Sequence, residues 1–224
     1  MSPDAPRARG LLVAIVGPSG AGKDTVTRLA LERLGDHAEP IRLARRVVTR
    51  TADGASEDHD TLDEAAFAHA EAAGAFCLTW RANGLAYGLP ADIRARIDAG
   101  EIVVANLSRR SLSEAAARFG RIAIVEIVAR RELLLARITA RGRETSPEIE
   151  ARLARTVPTE APPRTLALLR IDNSGAPDDA AAELERFLQG LLHTLAQEAP
   201  GTDEPSSGGT PSASSHPNNA RAAE

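Results

Sequence analysis

The chain has 224 residues and a mass of 23.6 kDa, enough to bury one full core with room for an insertion or a tail. Its formal net charge is −4 and its isoelectric point about 5.8, so no basic field for nucleic acid or anionic lipid stands out. A lone cysteine, Cys77, excludes an intramolecular disulfide, and no stretch reaches the roughly 18 uncharged apolar residues of a membrane span, so the expectation is a cytoplasmic protein with neither nucleic-acid nor membrane partners.

Residues 1–9 form a polar lead-in without an apolar signal core. Residues 11–16 (Leu11, Leu12, Val13, Ala14, Ile15, Val16) are uninterruptedly apolar, as in a strand buried on both faces. Gly17, Pro18, Ser19, Gly20, Ala21, Gly22, Lys23, Asp24 and Thr25 follow, and a helix over 23–34 (Val26, Leu29, Ala30, Leu34) begins at once, closing near Gly35. Strand, glycine-rich turn and helix start, in that order, make a phosphate-binding loop. Glycines let successive backbone N–H groups curl around a phosphate, and the helix N-terminus behind them adds partial positive charge. Lys23 supplies a mobile full charge for the β- and γ-phosphates. It is the only lysine; the other 26 of the 27 basic residues are arginine, so this place selects a compact ammonium over a planar fork. Given 17 glycines in 224 residues, glycine at both required places arises by accident with a frequency of about 0.006. The commonest form of the motif places a Ser or Thr after the lysine to hold Mg²⁺. Here Asp24 stands there and Thr25 one step later, so the metal ligand is Asp24, directly or through water, or Thr25.

Residues 41–48 suggest short extended pieces, followed by a polar stretch from 49 to 60 rich in turn formers. Asp63 caps an expected helix over 64–73 closed by Gly74. Apolar runs 76–80 and 85–87 flank Asn83-Gly84, a hairpin signal, so a small mixed segment at about 40–90 interrupts the alternation of strands and helices. Alternation resumes with a helix over 90–98 carrying Pro90 in its first turn, a strand at 102–105, a helix at 111–119, a strand at 122–128 and helices at 130–141 and 146–156. A strand at 168–171 and a last helix at 177–196 follow. The expected class is α/β: a phosphate-binding-loop (P-loop) kinase fold, with a parallel sheet covered by helices on both faces, spanning 10–196. Residues 197–224 are almost without apolar side chains and read as a disordered tail.

Three further groups carry chemistry. Arg137 and Arg141 are four apart on one helix face, Gly142 ends that helix, and Arg143 and Arg152 follow; together they read as a hinged lid at 141–152 or as a solvated arginine face. The segment 40–90 offers Thr49-Arg50, the Glu57-Asp58-His59 cluster and Tyr87-Gly88, suited to an anionic substrate with hydroxyls, or else a polar surface loop. Adjacent residues lack the spacing of a zinc site. Trp80, the only tryptophan, is most simply hairpin packing. Third, the strand 102–105 runs into Asn106 where phosphate-loop enzymes often carry a metal-assisting carboxylate; this speaks against an ATPase or GTPase and is better tolerated by a small-molecule kinase.

The succession GPSGAGKD, VVTR, EDH, GAFCLTWRANGLAYGLP, IVVANLSR, ARGRE, ARLAR resembles the ribose 1,5-bisphosphate phosphokinases of bacterial phosphonate breakdown, a family itself similar to guanylate kinase, over about 10–191. The resemblance implies ATP- and Mg²⁺-dependent phosphorylation of ribose 1,5-bisphosphate to 5-phosphoribosyl 1-diphosphate and ADP, with a small sugar phosphate as partner and a homodimer left open. It implies that Lys23, Arg137, Arg141 and Arg152 carry the transfer and that residues 17–25 hold the nucleotide with Asn173 near the adenine. Thr49, Arg50, Glu57, Asp58, His59 and Tyr87 would hold the acceptor. Guanylate kinases follow their Thr-Arg pair with a second arginine where this chain has Asp53; their guanine-reading glutamate falls at Leu78 and their phosphate-binding tyrosine at His59. A leucine cannot accept the guanine N–H bonds, so a base-free acceptor fits better than GMP. A guanylate kinase, and a catalytically silent guanylate-kinase-like protein-binding module, are the alternatives.

Overall fold

The computed structural model describes residues 10–49, 59–82, 84–140 and 158–198. The lead-in, most of the polar stretch after Thr49, the lid, the helix expected at 146–156 and the tail beyond Glu198 lie outside the described residues.

Strand β1 (Leu11–Val16) is the centre of the molecule, with no exposed surface on any of its six residues. It has parallel neighbours on both sides, β7 (Ile102–Asn106) and β8 (Ile122–Val128), and the five-stranded sheet is completed by β2 (Ile41–Leu43) beside β7 and β9 (Thr165–Asp172) beside β8. Side chains alternate across a strand, so β1 feeds two cores. Leu11, Val13 and Ile15 pack with Val26, Ala30 and Leu34 of α1 (Lys23–Leu34) and with Leu184, Leu188 and Leu191 of α6 (Pro177–Glu198). Leu12, Ala14 and Val16 pack with Ile93 and Ile97 of α3 (Asp92–Asp98) and with Leu112 and Ala115 of α4 (Leu112–Phe119). The α/β class, with a parallel sheet between helical layers, is as the alternating pattern implied.

The mixed segment is a second sheet of four strands, ordered β4 (His59–Thr61), β3 (Arg46–Val48), β6 (Leu85–Pro90), β5 (Phe76–Ala82). Its hairpin β5–β6 is antiparallel, as is β3 on β6, while β3 and β4 run parallel. Helix α2 (Glu64–Ala72) starts at Asp63, whose Oδ1 accepts from the Ala66 N–H at 2.7 Å, the expected cap. Leu78, Trp80 and Leu89 of the hairpin enter the second core, so the small sheet is fused to the large one through apolar contact.

Several boundaries differ from the sequence expectation: β4 lies in part within the expected turn-rich stretch, β7 includes Asn106, and α6 runs to Glu198 into the expected tail. Pro90 ends β6, paired with Phe76, and α3 begins at Asp92; a proline needs no ladder N–H at a strand end, and that use prevails over the first turn of the helix. Strand β9 is longer than 168–171 because it lies at the sheet edge, where Leu166 and Leu168 stay exposed and a strand is no longer a continuous buried run. Among the described residues no helix is long and apolar enough to cross a membrane.

Leu188→Ala, which empties a fully buried site between α6 and β1, is expected to cost about 2–5 kcal/mol, seen as a lower urea midpoint with unchanged slope. Cys77 is half-buried and its thiol donates to Pro90 O at 3.2 Å; burial pushes its pKa up, so fewer thiolates form at a given pH. Iodoacetamide at pH 8 is therefore expected to label Cys77 more slowly in the folded protein than in urea.

Candidate active site

The turn from β1 into α1 is shaped by close backbone approaches. Gly17 has φ 143°, and a Cβ there would run into the carbonyl of Ile127 on the neighbouring strand. Gly22 has φ 84°, and a Cβ there would strike the Asn173 amide. Side chains are therefore barred for two reasons, conformation and space. Gly22 is also the N-cap of α1 and brings no side-chain cap, so among the described residues the first-turn N–H groups of α1 keep their facing oxygen places for a ligand. Lys23 folds over the loop, donating from Nζ to Gly17 O at 3.1 Å and to Pro18 O at 3.0 Å. These are weak carbonyl partners that a phosphate would displace.

Two residues brace this loop from outside. Asn173, 2% exposed at the end of β9, donates from Nδ2 to Ala21 O at 2.8 Å, and its own N–H reaches Val128 O at 2.8 Å. Arg137 of α5 (Arg131–Ala140) donates to Gly20 O at 3.3 Å and to Asn173 O at 3.2 Å. Arg137, expected as one guanidinium of a lid, is thus held by carbonyls of the phosphate loop and of Asn173. The described contacts of Asn173 are with the loop backbone and with Val128 and Arg137, so it reaches a nucleotide site through the loop.

Asp24, in the first turn of α1, faces across to β7: its Oδ1 accepts from Asn106 Nδ2 at 2.5 Å and lies 3.8 Å from Arg46 Nη2. Asn106 Oδ1 is buried with no partner among the described residues. A carboxylate and an unpartnered amide oxygen, both hard oxygen donors, fit Mg²⁺. Thr25, a step of roughly 100° around the helix, is exposed and is not brought to Asn106. The usual pattern, hydroxyl on the helix and carboxylate on the strand, is thus exchanged here for carboxylate on the helix and amide on the strand.

Of the acceptor residues, Thr49 is buried and its Oγ1 accepts from Ala86 N at 2.8 Å, tying β3 to β6. Tyr87 is half-buried and stacks on Trp80, centroids 5.3 Å apart and planes at 5°. His59 lies in β4, in register with Arg46. Arg50, Glu57, Asp58, Arg141 and Arg152 lie outside the described residues. Sequence reasoning missed Arg46, whose only local signal is membership of an arginine-rich chain. It also missed Glu126, which on β8 gathers Arg109 at 3.3 Å and Thr159 Oγ1 at 2.6 Å.

No family model matches the chain. It is 45% identical over 191 residues to ribose 1,5-bisphosphate phosphokinase PhnN of Chelativorans sp. (strain BNC1), covering 85% of this chain and 89% of that one. It is 47% identical over 180 residues to the protein of the same name from Methylobacterium radiotolerans, covering 80% and 98%. Among solved structures, guanylate kinase from Anaplasma phagocytophilum superposes with a TM-score of 0.59 at 16% identity, over 81% of this chain and 85% of that one, a likeness of fold alone. With such identity to these relatives over most of both sequences, the chain belongs to the ribose 1,5-bisphosphate phosphokinase family.

Proposed function

We propose that the protein transfers the γ-phosphoryl group of ATP to the 1-phosphate of ribose 1,5-bisphosphate, giving 5-phospho-α-D-ribose 1-diphosphate and ADP. The observation that carries this is the uncapped start of α1 behind a glycine turn braced by Asn173 and Arg137, with Lys23 folded over it. Such a turn binds anions through backbone N–H groups and a helix end. A 1-phosphate oxygen forms the new bond to the γ-phosphorus while the β–γ bridging P–O bond breaks and its electron pair leaves on ADP. The nucleophile is already an anionic phosphate, so no strong general base is needed. The chain's contribution is positioning and charge.

Lys23 exchanges its carbonyl partners for the β- and γ-phosphates, Arg137 stands at the loop's outer side, and Arg141 and Arg152, outside the described residues, are assigned to the expected lid over 141–152. Mg²⁺, when bound, neutralises phosphate charge, and Asp24 with Asn106 would hold it. Asn173 keeps the loop in shape. Arg50, Glu57, Asp58, His59, Tyr87 and Thr49 are assigned to the acceptor side, within the insertion 40–90. A base-free acceptor is supported by Leu78, which is fully buried in the second core and offers no carboxylate for a guanine.

Purified protein given ATP, Mg²⁺ and ribose 1,5-bisphosphate is expected to form the diphosphate, measured by coupled ADP release and phosphorus NMR. Faster turnover with GMP would make it a guanylate kinase, and ATP binding without turnover of either acceptor would favour a binding module. Lys23→Ala is expected to lower kcat about 100- to 1,000-fold with the circular dichroism spectrum intact, and unchanged turnover would remove the loop from the mechanism.

A further inference from the structure

Arg46 has no role in the scheme above, yet from the small sheet it reaches Asp24, the residue that follows Lys23 at the start of α1. It belongs to β3, its side chain is 15% exposed, and its guanidinium lies between two groups. On one side is Asp24, Nη2 to Oδ1 at 3.8 Å. On the other is the ring of Tyr87, whose centroid is 6.0 Å from Cζ and which is itself stacked on Trp80. The spacing to Asp24 exceeds a hydrogen bond, so the pair is held by charge alone. Among the described residues no hydrogen bond uses the Arg46 N–H groups. The side chain thus lies against an aromatic face, with its donor fork unspent among the described residues, beside the residue that follows Lys23.

We propose that Arg46 binds the reacting phosphate of the acceptor, exchanging the carboxylate of Asp24 for two phosphate oxygens when the acceptor enters. This rests on the phosphotransferase reading. Of the acceptor's two phosphates, the one that attacks must come up to the loop, and Arg46 is placed at that seam; the other phosphate is held away by the sugar. A guanidinium matches two phosphate oxygens with parallel N–H bonds, a geometry that the single distant Asp24 oxygen does not offer. The exchange also frees Asp24, so its full negative charge faces the cation place beside Asn106. Acceptor binding and cation binding then favour one another through one ion pair.

Trp80, the only tryptophan, reports on this stack directly. The full-length protein, loaded with Mg²⁺ and a non-hydrolysable ATP analogue, is titrated with ribose 1,5-bisphosphate while Trp80 fluorescence and binding heat are followed. The wild-type protein is expected to show a fluorescence change that saturates with binding. Arg46→Met is expected to lose that change, to bind the acceptor about 10- to 100-fold more weakly, with KM for the acceptor raised in parallel, and to keep its affinity for the ATP analogue. Acceptor affinity in Arg46→Met within about twofold of wild type, with wild-type turnover intact, would overturn the role of Arg46 alone. A wild-type protein that neither binds nor phosphorylates ribose 1,5-bisphosphate would overturn the underlying reading instead, and this one with it. If Arg46→Met loses ATP-analogue binding through misfolding, Arg46→Lys carries the test, because it keeps the charge and removes the fork. It is expected to bind the acceptor about tenfold more weakly, and undiminished affinity would refute phosphate recognition by the fork.

Discussion

The whole arrangement depends on keeping a stretch of bare backbone in a shape that it would not hold alone. Residues 17–22 turn through positive φ at three glycines and make few hydrogen bonds within the loop itself. Their conformation is imposed from outside, by the Ile127 backbone against Gly17, the Asn173 amide on Ala21 and the Arg137 guanidinium on Gly20. These braces come from β8, the end of β9 and α5. The loop is thereby locked to the β8–β9 half of the sheet, and its N–H groups are left for anions.

The second constraint is apolar. The small sheet joins the main domain through Leu78, Trp80 and Leu89, buried with Ile93, Leu112 and Ile124. Such burial fixes the small sheet against the main domain, because a packed core leaves no room for sliding. Polar contacts between the two halves include the Arg118 bond to Cys77 O at 3.1 Å and, at the phosphate loop, the Asp24–Arg46 pair at 3.8 Å. Apolar fusion combined with a charged pair at the seam suits a kinase, which must exclude water yet admit and release two anionic substrates.

Much of this was legible in the residues. The phosphate loop, its flanking strand and helix, the Asp63 cap, the hairpin around Gly84 and the strand ending at Asn106 are all local patterns, and local geometry alone produces them. Arg137 could be named from its i, i+4 spacing, although that spacing presents it as one guanidinium of a lid, whereas the described contacts are with Gly20 and Asn173. Asn173 illustrates the limit: its neighbourhood in the chain says nothing about a carbonyl 152 residues away. The ambiguity between Asp24 and Thr25 was likewise beyond spacing, since both are oxygen donors in one helical turn.

The sequence by itself determined where the chain is strand, turn or helix and which turn binds phosphate, because period, glycine placement and caps act over a few residues. Only the tertiary structure decided that β7 and β8 flank β1, that Asp24 meets an asparagine 82 residues on, and that Arg46 reaches the loop at all. Strand order and long-range side-chain pairing follow from how whole apolar faces are buried together, and that is a property of the assembled layers rather than of any one stretch.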